Sequence, residues 1–233
     1  MKSHIFGVLV AALFWTAAVP AATVSTIFTL DPATAAANRL TLSIGGGSAD
    51  TDLSGTIDAL IEIDFATGVI SSLEFVGGGI TTTDWLIASV PALGGASLET
   101  EGSTATADST PPLTGVDPAG NFDATEHLIL LTGGTTTARN VPLTDGPVET
   151  SLANTPIPGT GTGTLLATRS GDQFDLVLTM NINETLSLVD QDLNILGSVV
   201  AQGSITAIPE PAMSFALCGA VAGLCLTRRR RVS

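Results

Sequence analysis

Residues 56–65 carry the pattern that most restricts what this chain can fold into. Apolar side chains occupy every second position of this stretch: Ile57, Ala59, Ile61, Ile63 and Phe65. Successive side chains of a strand point to opposite faces, so the alternation predicts a strand with one buried and one solvated face. No stretch between residues 22 and 207 shows a sustained helical period. The sequence therefore predicts an all-β domain.

Two hairpins can be read from turn residues. Ala66, Thr67 and Gly68 form a tight turn after the first strand, and residues 69–76 return along it. A second hairpin joins strands 162–168 and 173–182 through Ser170, Gly171 and Asp172. The apolar residues of its second strand are predicted to share one face: Phe174, Leu176, Leu178, Met180 and Ile182.

Ten or so strands are predicted in total. The others cover residues 24–30, 39–44, 85–89, 127–132 and 196–206. Residues 102–121, with three prolines and few large apolar side chains, are predicted to be a long loop, and so are residues 145–159. The segment 31–37 allows a short helix. To hide their edges the strands must pack as an antiparallel β-sandwich or close into a β-barrel, and the sequence does not choose between them.

The N-terminus has the composition of a secretory signal peptide. Lys2 precedes an apolar run over residues 5–19, and small residues stand at the spacing that signal peptidase reads. We predict a helical signal peptide over residues 1–21, cleaved after Ala21, with cleavage after Ala22 as the alternative. Residues 22–207, roughly 185 in number, then form one exported domain large enough to bury a core.

The C-terminus, residues 208–233, contains three parts in a fixed order. Pro209, Glu210 and Pro211 end the domain, because proline cannot continue a strand or helix. Residues 212–227 are uncharged and, as a helix, span roughly 24 Å at about 1.5 Å per residue, so they are predicted to form a short transmembrane helix. The chain then carries four basic residues, which stay on the cytoplasmic side of a membrane: Arg228, Arg229, Arg230 and Arg231.

This order resembles the PEP-CTERM sorting signal of Gram-negative bacteria and related lineages. Pro209, Glu210 and Pro211 match its motif, and residues 228–231 match its basic end. The resemblance implies recognition by an exosortase, a membrane cysteine protease that cuts near the motif. It also implies an inner-membrane intermediate followed by export to the cell surface or extracellular matrix, where exopolysaccharide is a candidate partner. A plain tail anchor is the alternative.

The exported part is strongly acidic. Of eight basic residues in the chain it keeps only Arg39, Arg139 and Arg169, against 21 of the 22 acidic residues, the last of which is Glu210 of the tail. A surface of this kind repels nucleic acid and anionic lipid, which require a basic face. It favours solubility and attracts cations.

Few residues offer catalytic chemistry. Cys218 and Cys225 lie in the predicted tail helix, so the exported domain has no disulfide, and His127 is the only histidine outside the leader. One histidine without thiolates does not make a tetrahedral zinc site. A Ser-His-Asp triad would have to be built on His127 alone.

One stretch of acidic and hydroxyl side chains suggests a calcium site. Its oxygen-bearing residues stand at alternate positions, as in an EF-hand loop, with Gly55 at the sixth position: Asp50, Asp52, Ser54, Thr56 and Asp58. Ile61 stands where the bidentate glutamate belongs, and the flanks read as strand. A polar turn leading into the strand at residue 56 is the alternative, and calcium is the one cofactor that the sequence suggests.

The sequence favours a non-enzymatic, exported surface or matrix protein whose β domain interacts with polysaccharide or proteins. Signal peptidase and an exosortase are its expected processing partners, and the C-terminal helix its contact with the membrane. Two alternatives remain open. One is a secreted hydrolase that uses carboxylates, although Trp85 is the only tryptophan of the exported part and tyrosine is absent. The other is a calcium-dependent adhesin.

Overall fold

The computed structural model of the protein describes residues 21–30, 37–142, 144–188 and 190–207. Residues 1–20 of the predicted signal peptide, residues 31–36 of the segment that allows a short helix, and the whole sorting signal from residue 208 lie outside the described residues. Within the described part, no helix is long and apolar enough to cross a membrane.

Thirteen strands, all paired antiparallel, make up most of the described chain, which confirms the all-β prediction. The first seven are β1 Ala22–Leu30, β2 Arg39–Ile44, β3 Gly47–Asp64, β4 Val69–Thr82, β5 Trp85–Val90, β6 Ala96–Ser109 and β7 Thr114–Gly115. The remaining six are β8 Asn121–Asp123, β9 His127–Arg139, β10 Val148–Ser151, β11 Thr155–Ser170, β12 Gln173–Leu188 and β13 Gln191–Thr206. Single 3₁₀ turns cover Pro91–Leu93 and Ala124–Glu126.

The strand pairings form a closed circuit. β3 pairs with β1 and β2 along one edge and with β4 along the other. From β4 the pairing continues through β6, β9, β11, β12 and β13, which returns to β2 and β1. The short strands β5, β7, β8 and β10 attach to members of this circuit.

Two strands, β1 and β2, share one position in the circuit. Each lies between β3 and β13, β1 beside one half of these strands and β2 beside the other. Asn38 fills the joint: its amide nitrogen donates to Val200 O and its amide oxygen accepts from Val200 N, both at 2.8 Å. Its own carbonyl accepts from Leu53 N at 2.7 Å. The side chain of Asn38 thus supplies the hydrogen bonds of a missing strand residue.

The core lies inside the circuit and follows the alternation seen in the sequence. The inward residues of β3 that were predicted to be buried have no exposed surface, namely Ile57, Ala59, Ile61 and Ile63. Phe174, Leu176, Leu178, Met180 and Ile182 of β12 all lie in the same core, as predicted. The turn between β3 and β4 also lies at the predicted residues.

The loop predicted over residues 102–121 is wrong for its first half. β6 continues to Ser109, and its inward positions are filled by Ser103, Ala105 and Ala107. These small side chains pack inside the circuit without the large apolar residues by which strands are usually recognised. Irregular backbone begins only at residue 110.

The loop predicted over residues 145–159 is also partly wrong. It contains β10 and the first residues of β11, which pair with β9. Pro156 and Pro158 obscure the strand in the sequence, because proline lacks a ladder donor. Between them Ile157 points into the core with 5% of its surface exposed.

Both ends of the described domain leave from the same end of the circuit. Ala22 pairs with Ile63, next to the turn that joins β3 to β4. Thr206 pairs with Gln173, and the rings of Phe65 and Phe174 at this end are 6.0 Å apart. The opposite end carries the turn at residues 45–46, the pairing of Leu188 with Gln191 between β12 and β13, and the 3₁₀ turn at residues 91–93.

Replacing Asn38 tests the joint between β1 and β2. Asn38→Ala leaves the peptide N–H and C=O of Val200 without partners, so we expect a loss of about 2–3 kcal/mol in the free energy of unfolding. Urea unfolding followed by circular dichroism measures it. Asn181→Ala, on the exposed side of β12, is the control, with an expected change below about 0.5 kcal/mol. Equal effects of the two substitutions would contradict this role of Asn38.

Candidate functional site

His127, the residue on which a Ser-His-Asp triad would have to be built, is fully buried. It begins β9, as predicted, and has none of its surface exposed. Its ring lies between two aromatic rings, with centroid distances of 4.6 Å to Phe75 and 4.9 Å to Phe122. Packing therefore holds the imidazole on both sides.

Hydroxyl groups bind both nitrogens of this imidazole. Thr114 Oγ1 lies 2.7 Å from Nε2, and Ser109 Oγ lies 2.7 Å from Nδ1. Thr114 donates its own proton to Leu73 O at 2.9 Å, so it accepts from Nε2–H. Nδ1 is then the acceptor for the Ser109 hydroxyl, which itself accepts from Phe75 N at 2.7 Å. This pattern assigns a neutral His127 with its proton on Nε2.

Ser109 and His127 are as close as a catalytic nucleophile and its base. They lack the solvent access and the orienting carboxylate of a catalytic triad. Ser109 is also buried, with 7% exposed, and no carboxylate orients the ring from its other side. In this arrangement a substrate cannot reach either group. Every donor and acceptor of the pair is satisfied within the protein, so the network acts as a clamp that ties β7 to β4, β6 and β9.

Burial lowers the pKa of His127 from its ordinary 6.5 to about 4, because the charged ring would lose its hydration; the carboxylate of Asp123 opposes the shift. Protonation would also place a proton on Nδ1, where the Ser109 hydroxyl now donates. The ring is therefore neutral at neutral pH.

A groove of about 660 Å³ lies outside this network, between β7, β8 and β11, and Asp117, Asp123 and Thr162 are among its lining residues. Both carboxylates are engaged by their own loop. Asp117 accepts from the side chain and backbone of Asn121, and Asp123 accepts from the hydroxyl and backbone of Thr125. These bonds hold the pKa of each aspartate below its usual 3.8. The two carboxylates thus stabilise their turns.

The three arginines of the described domain are all engaged. Arg39 contacts Asp50 at 2.8 Å and Arg139 contacts Glu99. The guanidinium carbon of Arg169 lies 5.5 Å from the centroid of the Phe174 ring. The described surface therefore offers no free cluster of cations to a phosphate backbone.

The residues of the suggested calcium loop lie on β3 and do not converge. Along a strand, Asp50 and Asp58 are separated by roughly 26 Å at about 3.3 Å per residue, so they cannot share an ion that binds oxygen at about 2.4 Å. Asp50 binds Arg39 and Thr41, and Ser54 binds Thr81. Asp52 and Thr56 occupy further outward positions of the same strand. No group of three or more metal-binding side chains is present among the described residues.

The residues of the predicted processing sites are only partly described. Ala21 is exposed and precedes β1, which begins at Ala22 and pairs there with Ile63. Cleavage after Ala21 leaves this strand whole, whereas cleavage after Ala22 removes its first pair. Pro209, Glu210, Pro211 and residues 228–231 lie outside the described residues.

Ser109 and Thr114, the partners of His127, were not found from the sequence. Both belong to the stretch predicted as a loop, and they reach the imidazole through pairings of β6 with β9 and of β7 with β4. Nothing local to either residue signals such a contact.

Comparison of the chain with models of known protein families, with characterised proteins and with solved structures finds no match.

The low pKa of His127 predicts how stability depends on pH. Between pH 6.5 and about 4 the unfolded chain takes up a proton that the folded chain does not, so stability falls as the pH falls through this window. We expect a loss of about 3 kcal/mol from pH 7 to pH 4. Urea unfolding at a series of pH values measures the loss.

His127→Gln is the control for this pH dependence, since the amide does not titrate. Its stability should be nearly flat above about pH 4, whatever its value at pH 7. Asp64, Asp117 and Asp123 have lowered pKa values, so the stability they add is present above pH 3.8 and is lost only below it. An unchanged slope in the glutamine variant would mean that other groups carry the pH dependence.

The spread of residues along β3 predicts no shared calcium site there. In equilibrium dialysis of the protein against calcium, we expect no saturable site that depends on these residues. Asp50→Ala and Asp52→Ala should therefore bind calcium as the wild type does. A saturable site removed by both substitutions would restore the calcium loop and contradict the extended geometry.

Proposed function

We propose that this protein is exported through its leader, sorted by its C-terminal signal and processed by an exosortase. Its β domain then acts without catalysis at the cell surface or in the extracellular matrix of a Gram-negative-type bacterium. The observation that carries the proposal is the ordered tail, in which Pro209, Glu210 and Pro211 precede an uncharged stretch and four arginines.

The position of the two ends supports this proposal. Ala22 and Thr206 lie at the same end of the circuit, so a leader and a tail both attach to the domain there. The last described residue is tied to the fold, because Ala207 N donates to Asp172 O at 2.8 Å. Pro209 follows two residues later. A domain held in this way has its opposite end directed away from the membrane.

The charge of the domain fits an extracellular role. Its carboxylates outnumber its three arginines, and those arginines are engaged by Asp50, Glu99 and Phe174. Such a surface keeps a secreted protein dispersed and disfavours nucleic acid and anionic lipid as partners.

Of the two closures that the sequence allows, we infer a β-barrel. The pairings of β3 with β4 and of β13 with β1 and β2 support it, because together they leave no long edge between these strands. A closed body of this kind suits a domain that projects from a membrane without a supporting partner.

The experiment that tests sorting compares the wild type with a variant in which Pro209, Glu210 and Pro211 are all replaced by alanine. The protein is expressed with its exosortase in a bacterium that has the system. We expect the wild type outside the cell with an intact mass lacking the tail. The variant should remain full length in the inner-membrane fraction, because the protease no longer reads its motif.

Pro118→Ala, in an exposed turn of the domain, is the matched control and should be processed like the wild type. A wild-type protein that stays full length and membrane-bound would contradict the exosortase proposal. The tail would then be a plain anchor, and partners would be sought in the periplasm.

A further inference from the structure

One side of the domain carries hydroxyl and amide groups with almost no charge. It consists of the outward side chains of residues 164–170 of β11, 173–183 of β12, 198–206 of β13 and 25–29 of β1, and we call it the neutral face. Asp175 is the single carboxylate among these side chains. Arg169 points to the other side of the sheet, over the Phe174 ring.

Strand register arranges the neutral face as rows of paired side chains, the longest of which crosses four strands. One row joins Leu166, Val177, Gln202 and Thr29 through direct pairings. The next rows join Thr164 to Thr179 and Thr168 to Asp175 and Ser204 in the same way. Neighbouring strands lie about 4.8 Å apart, and outward side chains recur about every 6.7 Å along each strand. The result is a regular array in which hydroxyl and amide groups are mixed with the exposed apolar side chains of Ile27, Leu166 and Val177.

Acidic side chains border this array. On the β1 side lie Asp58 and Glu62 of β3, which pair with Ile27 and Thr23. On the β11 side Asp123 pairs with Thr162. The segregation of charge therefore follows the strands.

A second sheet surface has the opposite character. Glu99, Glu101 and Asp108 all point outward from β6, and Glu149 lies on β10 beside Thr137 of β9. The neutral face is thus an exception in an acidic domain, since the segments of its four strands that form it carry a single outward carboxylate, Asp175.

We infer that the neutral face binds an uncharged polysaccharide. This inference rests on the proposed extracellular function, which brings the domain into contact with secreted polymers. The acidic border repels polyanions, and a polycation would bind the acidic surfaces instead. Its exposed apolar side chains, Ile27, Leu166 and Val177, are outnumbered by hydroxyl and amide side chains. The face therefore lacks the continuous apolar surface that enters a lipid layer. Sugar hydroxyls match its donors and acceptors.

An array without aromatic side chains implies weak binding at each sugar unit. Affinity then comes from many simultaneous hydrogen bonds along one chain, and it should rise with polymer length. Short oligosaccharides of the same sugar should bind far less.

Affinity electrophoresis in gels that contain dextran, hydroxyethyl cellulose or alginate tests the inference. It uses the protein isolated from producing cells in mild detergent. We expect at least one of the two neutral polymers, but not the anionic alginate, to retard the wild type. Leu166→Glu places a carboxylate in the centre of the face and should weaken retardation about tenfold, because the loss is multiplied along a multivalent contact.

Leu86→Glu is the matched control, since Leu86 is an exposed leucine of β5 outside the neutral face (56% exposed, against 50% for Leu166). It should bind like the wild type. Retardation by alginate alone, no retardation by either neutral polymer, or equal binding by both variants would overturn the inference. The inference would also be overturned if sedimentation analysis showed a dimer that the Leu166→Glu substitution dissociates. In that case the neutral face would be an interface between two copies of the chain. Export and tail removal of the Leu166→Glu variant are assayed in parallel. A variant that is exported and processed normally but binds weakly has lost polymer binding and not sorting.

Discussion

Backbone pairing along β3 is the constraint on which the rest of the structure depends. Its 18 residues run from one end of the circuit to the other, with β1 and β2 on one edge and β4 on the opposite edge. No single strand is available to complete its first edge, so two shorter strands share the place. The fold then needs something to bridge their joint, and the side chain of Asn38 does this with hydrogen bonds of backbone geometry. A closed circuit of long strands thus depends on one buried amide.

Asn38 is not the only buried polar side chain that joins strands of this domain through hydrogen bonds. His127 is the largest of them, and its partners Ser109 and Thr114 come from strands that are separated in sequence by an irregular segment. A buried imidazole whose partners are all satisfied specifies one arrangement of these strands, since any other leaves a polar atom unpaired. Cores made only of interchangeable apolar side chains do not discriminate so sharply between registers.

Sequence patterns predicted the strands whose inward positions carry large apolar residues, such as Ile57 to Ile63 in β3 and the inward residues of β12. They failed where those positions carry small or polar side chains, as in β6 at Ser103 and Ala105, because a small residue buried inside a closed circuit looks like a loop residue in the sequence. The residues that surround His127 could not be predicted from the sequence for a different reason. They are set by register between distant strands, which no local pattern encodes. The sorting signal, in contrast, can be read directly from the sequence because it is a linear motif. Its function remains a prediction.

The course of β13 has a mechanical consequence. The tail leaves the domain at the end of this strand, and β13 is paired along its length with β12 on one side and with β2 and β1 on the other. A pull on the chain beyond Thr206 acts along the axis of this strand. Many hydrogen bonds then bear the load together in shear, and none can open singly as in a peeling hairpin. The C-terminal connection is therefore placed where a pull on the chain is shared by the whole of β13 and is not borne by its last pairing alone.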